Sequence, residues 1–286
     1  MNLLEIFDSV QEHDPEIFER LDSRRNAMRF IGNAGKKLSL ASLPLVLSGM
    51  FQKAYGQSTT TPAAVLDVLN FALTLEYLEY TFYQKGVSTA GLIPAGVQLD
   101  AISHIRDNEL AHVNFLKTTI KALGGTPVAQ PAFDYTAGKG SNNGPFASVF
   151  TNYQTFLAVS QVFEDTGVRA YKGQAGNLLS QGDILQAALN IHSVEARHAS
   201  HVRQMRKFNN FGDVKPWITL KDPGLGSANS LVQASYDGED LTTQAGVNII
   251  NIGGQSGVSA TVASESFDEP LTKAQVLAIV DPFIVK

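Results

Sequence analysis

The sequence predicts an all-α protein: an antiparallel four-helix bundle over residues 62–208, preceded by a helical N-terminal leader and followed by an irregular, partly β-prone tail over residues 209–286. Three observations predict it. Between Pro62 and Phe208 the apolar residues recur at alternating steps of three and four, the period of helices that turn one stripe toward a core. Pro and Gly fall at the ends of these stretches rather than inside them. Midway along each stripe, where Leu or Ile is expected, stands a Glu, and in two of the four a His follows three residues later.

The leader, residues 1–56, opens with the amphipathic stretch LLEIFDSVQEHDPEIFERL, followed by SRRNAMRF, the apolar run LSLASLPLVLSGMF and then KAYGQ. A run of about 14 residues is short for a membrane span but suits the apolar segment of an export signal. Ser23, Arg24 and Arg25 resemble the core of a twin-arginine signal, with Ala27 in place of the usual Phe. Ala54 and Gly56 offer small residues for cleavage before Gln57. On this reading the mature protein is periplasmic or otherwise exported and keeps no stable membrane span. The alternative is two helices that pack on the bundle of a cytoplasmic protein.

The first bundle helix starts with Thr61 as N-cap and Pro62 at its first position, and stops at Gly86. The second covers about residues 95–123 and closes on Gly124, Gly125 and Pro127. PVAQPAFDYTAGKGSNNGPF is a loop by its Pro, Gly and Asn content. The third helix runs from about 146 to 172 and the fourth from about 178 to 208. Links of short to moderate length make the four an antiparallel bundle. The tail, rich in Gly, Ser, Thr and Asn, ends in the amphipathic EPLTKAQVLAIVDPF. It is too apolar for a plain linker and is expected to pack along the bundle.

Composition excludes several classes. Charged residues make up 17% of the chain, below the roughly 25% of an average domain, and the net charge of −5 is spread without blocks. No nucleic-acid footprint results. The absence of cysteine excludes disulfides, thiolate nucleophiles, zinc–thiolate sites and iron–sulfur clusters. There is no G-x-S-x-G, P-loop or dinucleotide fingerprint.

The polar seam residues carry the chemistry. In the fourth helix the seam runs through Ile184, Ala188, Ile191, Glu195, His198, Val202 and Met205, and in the second through Ile102, Ile105, Glu109, His112, Leu116 and Leu123. The first and third helices carry Glu76 and Glu164, each followed seven residues later by a tyrosine, Tyr83 and Tyr171. Asp165 competes with Glu164, but Leu157 and Gln161 on the preceding face favour Glu164. A helix pair folded twice thus brings four carboxylates and two imidazoles to one point. Their charge is untenable in a core without cations. Two divalent metals neutralise it, and oxygen-rich ligation with one nitrogen each suits iron or manganese better than structural zinc.

Other candidates surround this set. Tyr83 and Tyr171 read as hydrogen-bond donors behind the ligands or as plain core tyrosines. Glu79, three residues after Glu76, reads as a seventh ligand or proton shuttle, or else as a surface residue; the equivalent position after Glu164 is Gly167, which leaves space. Asn108 is placed to orient a ligand His. His104 and His201 point away from the seam, His192 lies on its flank, and Trp217 reads as a packing anchor for the tail.

A Glu from each of two helices with a Glu-x-x-His from each of the other two resembles the ligand set of ferritin-like di-iron and di-manganese carboxylate proteins, here over residues 62–208. LNFALTLEYLEYTFY and EPLTKAQVLAIVDPF further resemble the bacterial ferritin-like domain proteins labelled desiccation-related. The resemblance implies a ferritin-like antiparallel four-helix bundle with two iron or manganese ions. Glu76, Glu109 and His112 would serve one ion, Glu164, Glu195 and His198 the other, with at least one Glu bridging. It also implies redox chemistry on oxygen or peroxide, of ferroxidase, peroxidase or catalase type, in protection against oxidative or drying stress. Glu79, Tyr83 and Tyr171 are then the catalytic candidates; an added carboxylate is similar to that of rubrerythrins, where it sits on a different helix. The alternative is a non-catalytic metal-binding or structural bundle. The long tail argues against a storage shell, and a homo-oligomer stays open.

Overall fold

The computed structural model of the chain describes residues 63–225, 230–250 and 258–286. The leader with Arg24 and Arg25, and the Thr61–Pro62 start expected for the first helix, lie outside the described residues. Four long helices form the bundle: α1 (Ala63–Ser88), α2 (Val97–Ala122), α3 (Tyr153–Ala175) and α4 (Gly182–Phe208). Helix α3 begins later than the apolar pattern suggests. Asn152, in the extended region, caps it by accepting the Thr155 amide at 2.9 Å, and residues 146–151 form turns instead. At the end of α2, Gly124 adopts φ 77° and the Gly125 amide reaches back to the Ile120 carbonyl at 2.9 Å.

Helix α1 packs mainly on α2, and α3 on α4. Gly125 beyond α2 lies against Leu66 near the start of α1, while Gly86 near the end of α1 lies against Phe156 at the start of α3. Asn209 after α4 donates to Gln98 at the start of α2, 2.8 Å away. Each neighbouring pair is therefore antiparallel, and the 123–152 connection must cross the length of the bundle. Asp134 organises that crossover by accepting the amides of Thr136, Gly140 and Asn142 at 2.9–3.0 Å.

The core at this end is aromatic. Phe82 stacks on Phe156 at 4.8 Å, with the rings of Tyr83 and Phe163 edge-on. A methyl at Gly86 would overlap the Phe156 ring, which is locked in that stack. Overpacking costs about 1–3 kcal/mol, against at most about 1 kcal/mol gained in helix propensity. Gly86→Ala is therefore expected to lower the urea midpoint; an unchanged or raised midpoint contradicts this packing.

The β-prone tail segments yield only a hairpin of β1 (Thr243–Gln244) with β2 (Val247–Asn248). Short helices α5 (Ser230–Gln233) and α6 (Ala260–Ser264) flank it, and α7 (Lys273–Val280) packs on α3. A capping box of Thr272 and Gln275 starts α7. The final residues dock on the crossover, with the Asp134 amide bonded to the Phe283 carbonyl at 2.8 Å. Buried arginines hold the tail to the bundle. Arg169 donates to the carbonyls of Ser235, Asp237 and Glu269 and pairs with Glu239; Arg203 pairs with Asp165 of α3 and donates to the Trp217 carbonyl at 3.4 Å; Arg206 reaches Gln161 and the carbonyls of Phe211 and Gly224. Among the described residues no helix is long and apolar enough to cross a membrane.

Candidate metal centre

The alternation that makes each helix amphipathic also carries its polar seam residues inward. Glu76 on α1, Glu109 and His112 on α2, Glu164 on α3, and Glu195 and His198 on α4 are all buried at mid-bundle. Ligand atoms of Glu76, Glu109, His112 and Glu195 lie within 4.8 Å of one another, and so do those of Glu109, Glu164, Glu195 and His198. Both carboxylates of the Glu-x-x-His pairs thus belong to both groups. The six residues meet as two overlapping quartets rather than two separate triads.

Both imidazoles turn Nδ1 inward. His112 Nδ1 stands 2.9 Å from Glu109, 3.1 Å from Glu76 and 3.3 Å from Glu195; His198 Nδ1 stands 2.8 Å from Glu109 and 3.3 Å from Glu164. The tyrosines cross over. Tyr83 of α1 donates to Glu164 Oε1 on α3, and Tyr171 of α3 donates to Glu76 Oε1 on α1. Each terminal carboxylate keeps its other oxygen facing the centre. Behind His198, Nε2 meets the Asn108 amide at 3.0 Å; the corresponding place before Glu195 is Val194, which has no amide to offer.

Burial leaves these groups short of partners. Glu109 Oε1, Glu164 Oε2, both Glu195 oxygens and His198 Nδ1 make no hydrogen bond, although some lie close to one another. Buried acceptors rarely stay unpaired, and a convergent set of them fits cations. In their absence protons take that part. Burial opposes charge on His198, yet Glu164 and Glu109 push it up to about 11. His112 is likewise pushed well above its usual value, against burial, by Glu76, Glu109 and Glu195. Burial lifts Glu76 to about 7, offset in part by His112. For Glu109 burial also pushes upward, but the two imidazoles prevail and hold it at about 2. Burial and then neighbouring carboxylates push Glu195 and Glu79 well up.

Glu79 is 3% exposed, so the surface reading of this residue does not hold. A side chain at Gly167 would stand 3.0 Å from Glu195 Oε2 and 3.1 Å from Glu79 Oε1; the missing Cβ makes room for the extra carboxylate. Glu79 belongs to neither quartet. Ile279 and Val280 of α7 close a small cavity of about 10 Å³ over it, so the tail seals the α1–α3 side.

Several expectations are corrected. Gln161 faces the tail, bonding to the Pro223 carbonyl and Tyr236, so it does not support the assignment of Glu164. What separates Glu164 from Asp165 is that Arg203 and Tyr236 claim the Asp165 carboxylate. Trp217 is 48% exposed and is no packing anchor. His192 bonds to the Val168 carbonyl at 3.0 Å, outside the quartets. The buried arginines went unread as well. Their signal was four arginines, Arg169, Arg197, Arg203 and Arg206, on α3 and α4 of an unusually charge-poor chain, all but Arg197 buried.

The sequence model of a family described as a ferritin-like domain matches residues 64–207. No curated protein matches the chain.

Proposed function

The chain belongs to the ferritin-like domain family, and from that premise we propose that the buried cluster holds two iron or manganese ions and carries out redox chemistry on oxygen or peroxide. The observation that carries the reading is the convergence of buried atoms that make no hydrogen bond, Glu109 Oε1, Glu164 Oε2, both Glu195 oxygens and His198 Nδ1, on one point of the bundle interior. Four carboxylates with one imidazole nitrogen for each ion favour iron or manganese. Bound there, the paired ions would supply the two electrons that an O–O bond accepts on cleavage.

The protein's own groups do the rest. Glu109 and Glu195, common to both quartets, would be shared by the two ions, and His112 and His198 would each hold one. Tyr83 and Tyr171, whose phenols burial keeps protonated, fix the outer oxygens of Glu164 and Glu76. Burial, and then Glu195, push the Glu79 carboxyl well above its usual value, which suits it to hand a proton to the centre. Glu79→Ala is expected to retain both ions and to slow the reaction with peroxide about a hundredfold, the usual worth of a placed acid; the reaction with oxygen should slow less. Equal rates in the variant and the parent would remove Glu79 from the chemistry.

One observation favours a purely structural site: α7 seals the Glu79 side. Elemental analysis of natively expressed protein, with stopped-flow mixing against oxygen and against peroxide, separates the readings. Two equivalents of iron or manganese and a spectral change on mixing support catalysis. Metal present with no reaction to either oxidant supports the structural role.

A further inference from the structure

On the opposite side, α2 and α4 part to leave a groove of about 530 Å³. We propose that this groove binds a small planar organic anion, seated against the outer edge of the His198 imidazole. The volume is that of a small-molecule site. One wall is an aliphatic stripe of α2, Val97, Ala101 and Ile105, four residues apart and so on one face. The other wall is polar: Arg197 and His201 of α4, again four residues apart, with His104 of α2 at the rim.

Neither a hydrogen bond nor an ion pair within the described residues engages the side chains of Arg197, His104 or His201. Arg197 is the one guanidinium on the lining and Asp100 the one carboxylate, so an anion is drawn to the Arg197 wall. A bare inorganic anion would leave the aliphatic stripe in water, whereas Val97 is already 80% exposed and gains by being covered. A metal cation is disfavoured by Arg197. An aromatic or other flat carboxylate satisfies both walls, its ring on the α2 stripe and its carboxylate on the Arg197 fork. The floor is the Asn108 contact with His198 Nε2, so the occupant sits one imidazole away from the centre without entering it. This inference goes beyond the redox reading and does not depend on it.

The test is isothermal titration of the full chain with benzoate, in parallel with its neutral analogue benzamide, before and after chelation. Benzoate is expected to bind saturably in both states, and benzamide about tenfold or more weakly, the loss of roughly one charged contact. Arg197→Glu and Ala101→Trp, the first reversing the charge and the second filling the groove, should each weaken benzoate about tenfold. Neither residue is a candidate ligand, so both variants should keep the metal content of the parent, which reports that they fold. The imidazole proton signals of His104 and His201 should shift with benzoate. Absence of saturable binding, equal affinity for benzamide, or parental affinity in both variants would overturn the proposal. A parent protein that holds two ions but binds no benzoate refutes the groove alone, while benzoate binding to protein that never holds iron or manganese refutes only the redox reading.

Discussion

Chelation is expected to lower the melting temperature strongly at neutral pH and less at mildly acidic pH. A ligand present at a thousandfold its dissociation constant stabilises by about 4 kcal/mol, which for a domain of this size is on the order of 10 °C. The pH dependence follows from the protons of the metal-free cluster. Glu76 rises from 4.5 to about 7 in the fold, so its ionisation is penalised increasingly as pH climbs through that window and fully above it. His198 rises from 6.5 to about 11; its protonated form supports the fold fully below 6.5 and that support is lost as pH climbs toward 11. Both effects weaken the metal-free protein as pH rises. Glu109, held at about 2, works the other way, but only below its ordinary value of 4.5. Metal binding itself strengthens with pH because the ligands must lose protons. Calorimetry of loaded and chelated protein should therefore show a gap that widens from pH 5 to pH 8. A gap that stays constant would contradict the account.

Breaking the Asp165–Arg203 pair is expected to cost about as much. Arg203→Met leaves the Asp165 carboxylate in the interior with only the Tyr236 hydroxyl, 2.7 Å away, to receive it. Removing one partner of a buried pair costs about 3–5 kcal/mol, chiefly through the stranded charge. Replacing both partners by apolar groups often costs little. Arg203→Met with Asp165→Leu should accordingly recover more than half of the loss in denaturant midpoint. A double variant as unstable as the single one would mean that the arginine matters through Trp217 or packing rather than through the pair. Because Asp165 neighbours Glu164, the same variants also ask whether anchoring of the tail supports the centre, read as metal content.

The parts of this protein legible in its sequence are those that local geometry enforces. A helix returns to the same face every three to four residues, so the apolar period marked α1 to α4, and the same period put Glu109 with His112 and Glu195 with His198 on inward faces. Charge at such positions is unstable unless shared, so the repeated Glu and Glu-x-x-His pattern pointed to one cluster before any contact was visible. Glu79 carried a weaker trace of the same kind, through its step of three and the glycine opposite.

Other features depend on which elements become neighbours, and no local period encodes that. The late start of α3 rests on the Asn152 cap and on turns held by the crossover. Tyr83 serves Glu164, and Tyr171 serves Glu76, only because α1 and α3 run antiparallel side by side. The sharing of Glu109 and Glu195 between two quartets requires all four helices at their final spacing. The sides of α3 and α4 that carry Asp165, Arg169, Arg203 and Arg206 are buried only because the tail folds over them and removes the water. Spacing along the chain determined which side chains face inward; long-range packing, set by burial and by the pairing of buried charge, decided which of them meet.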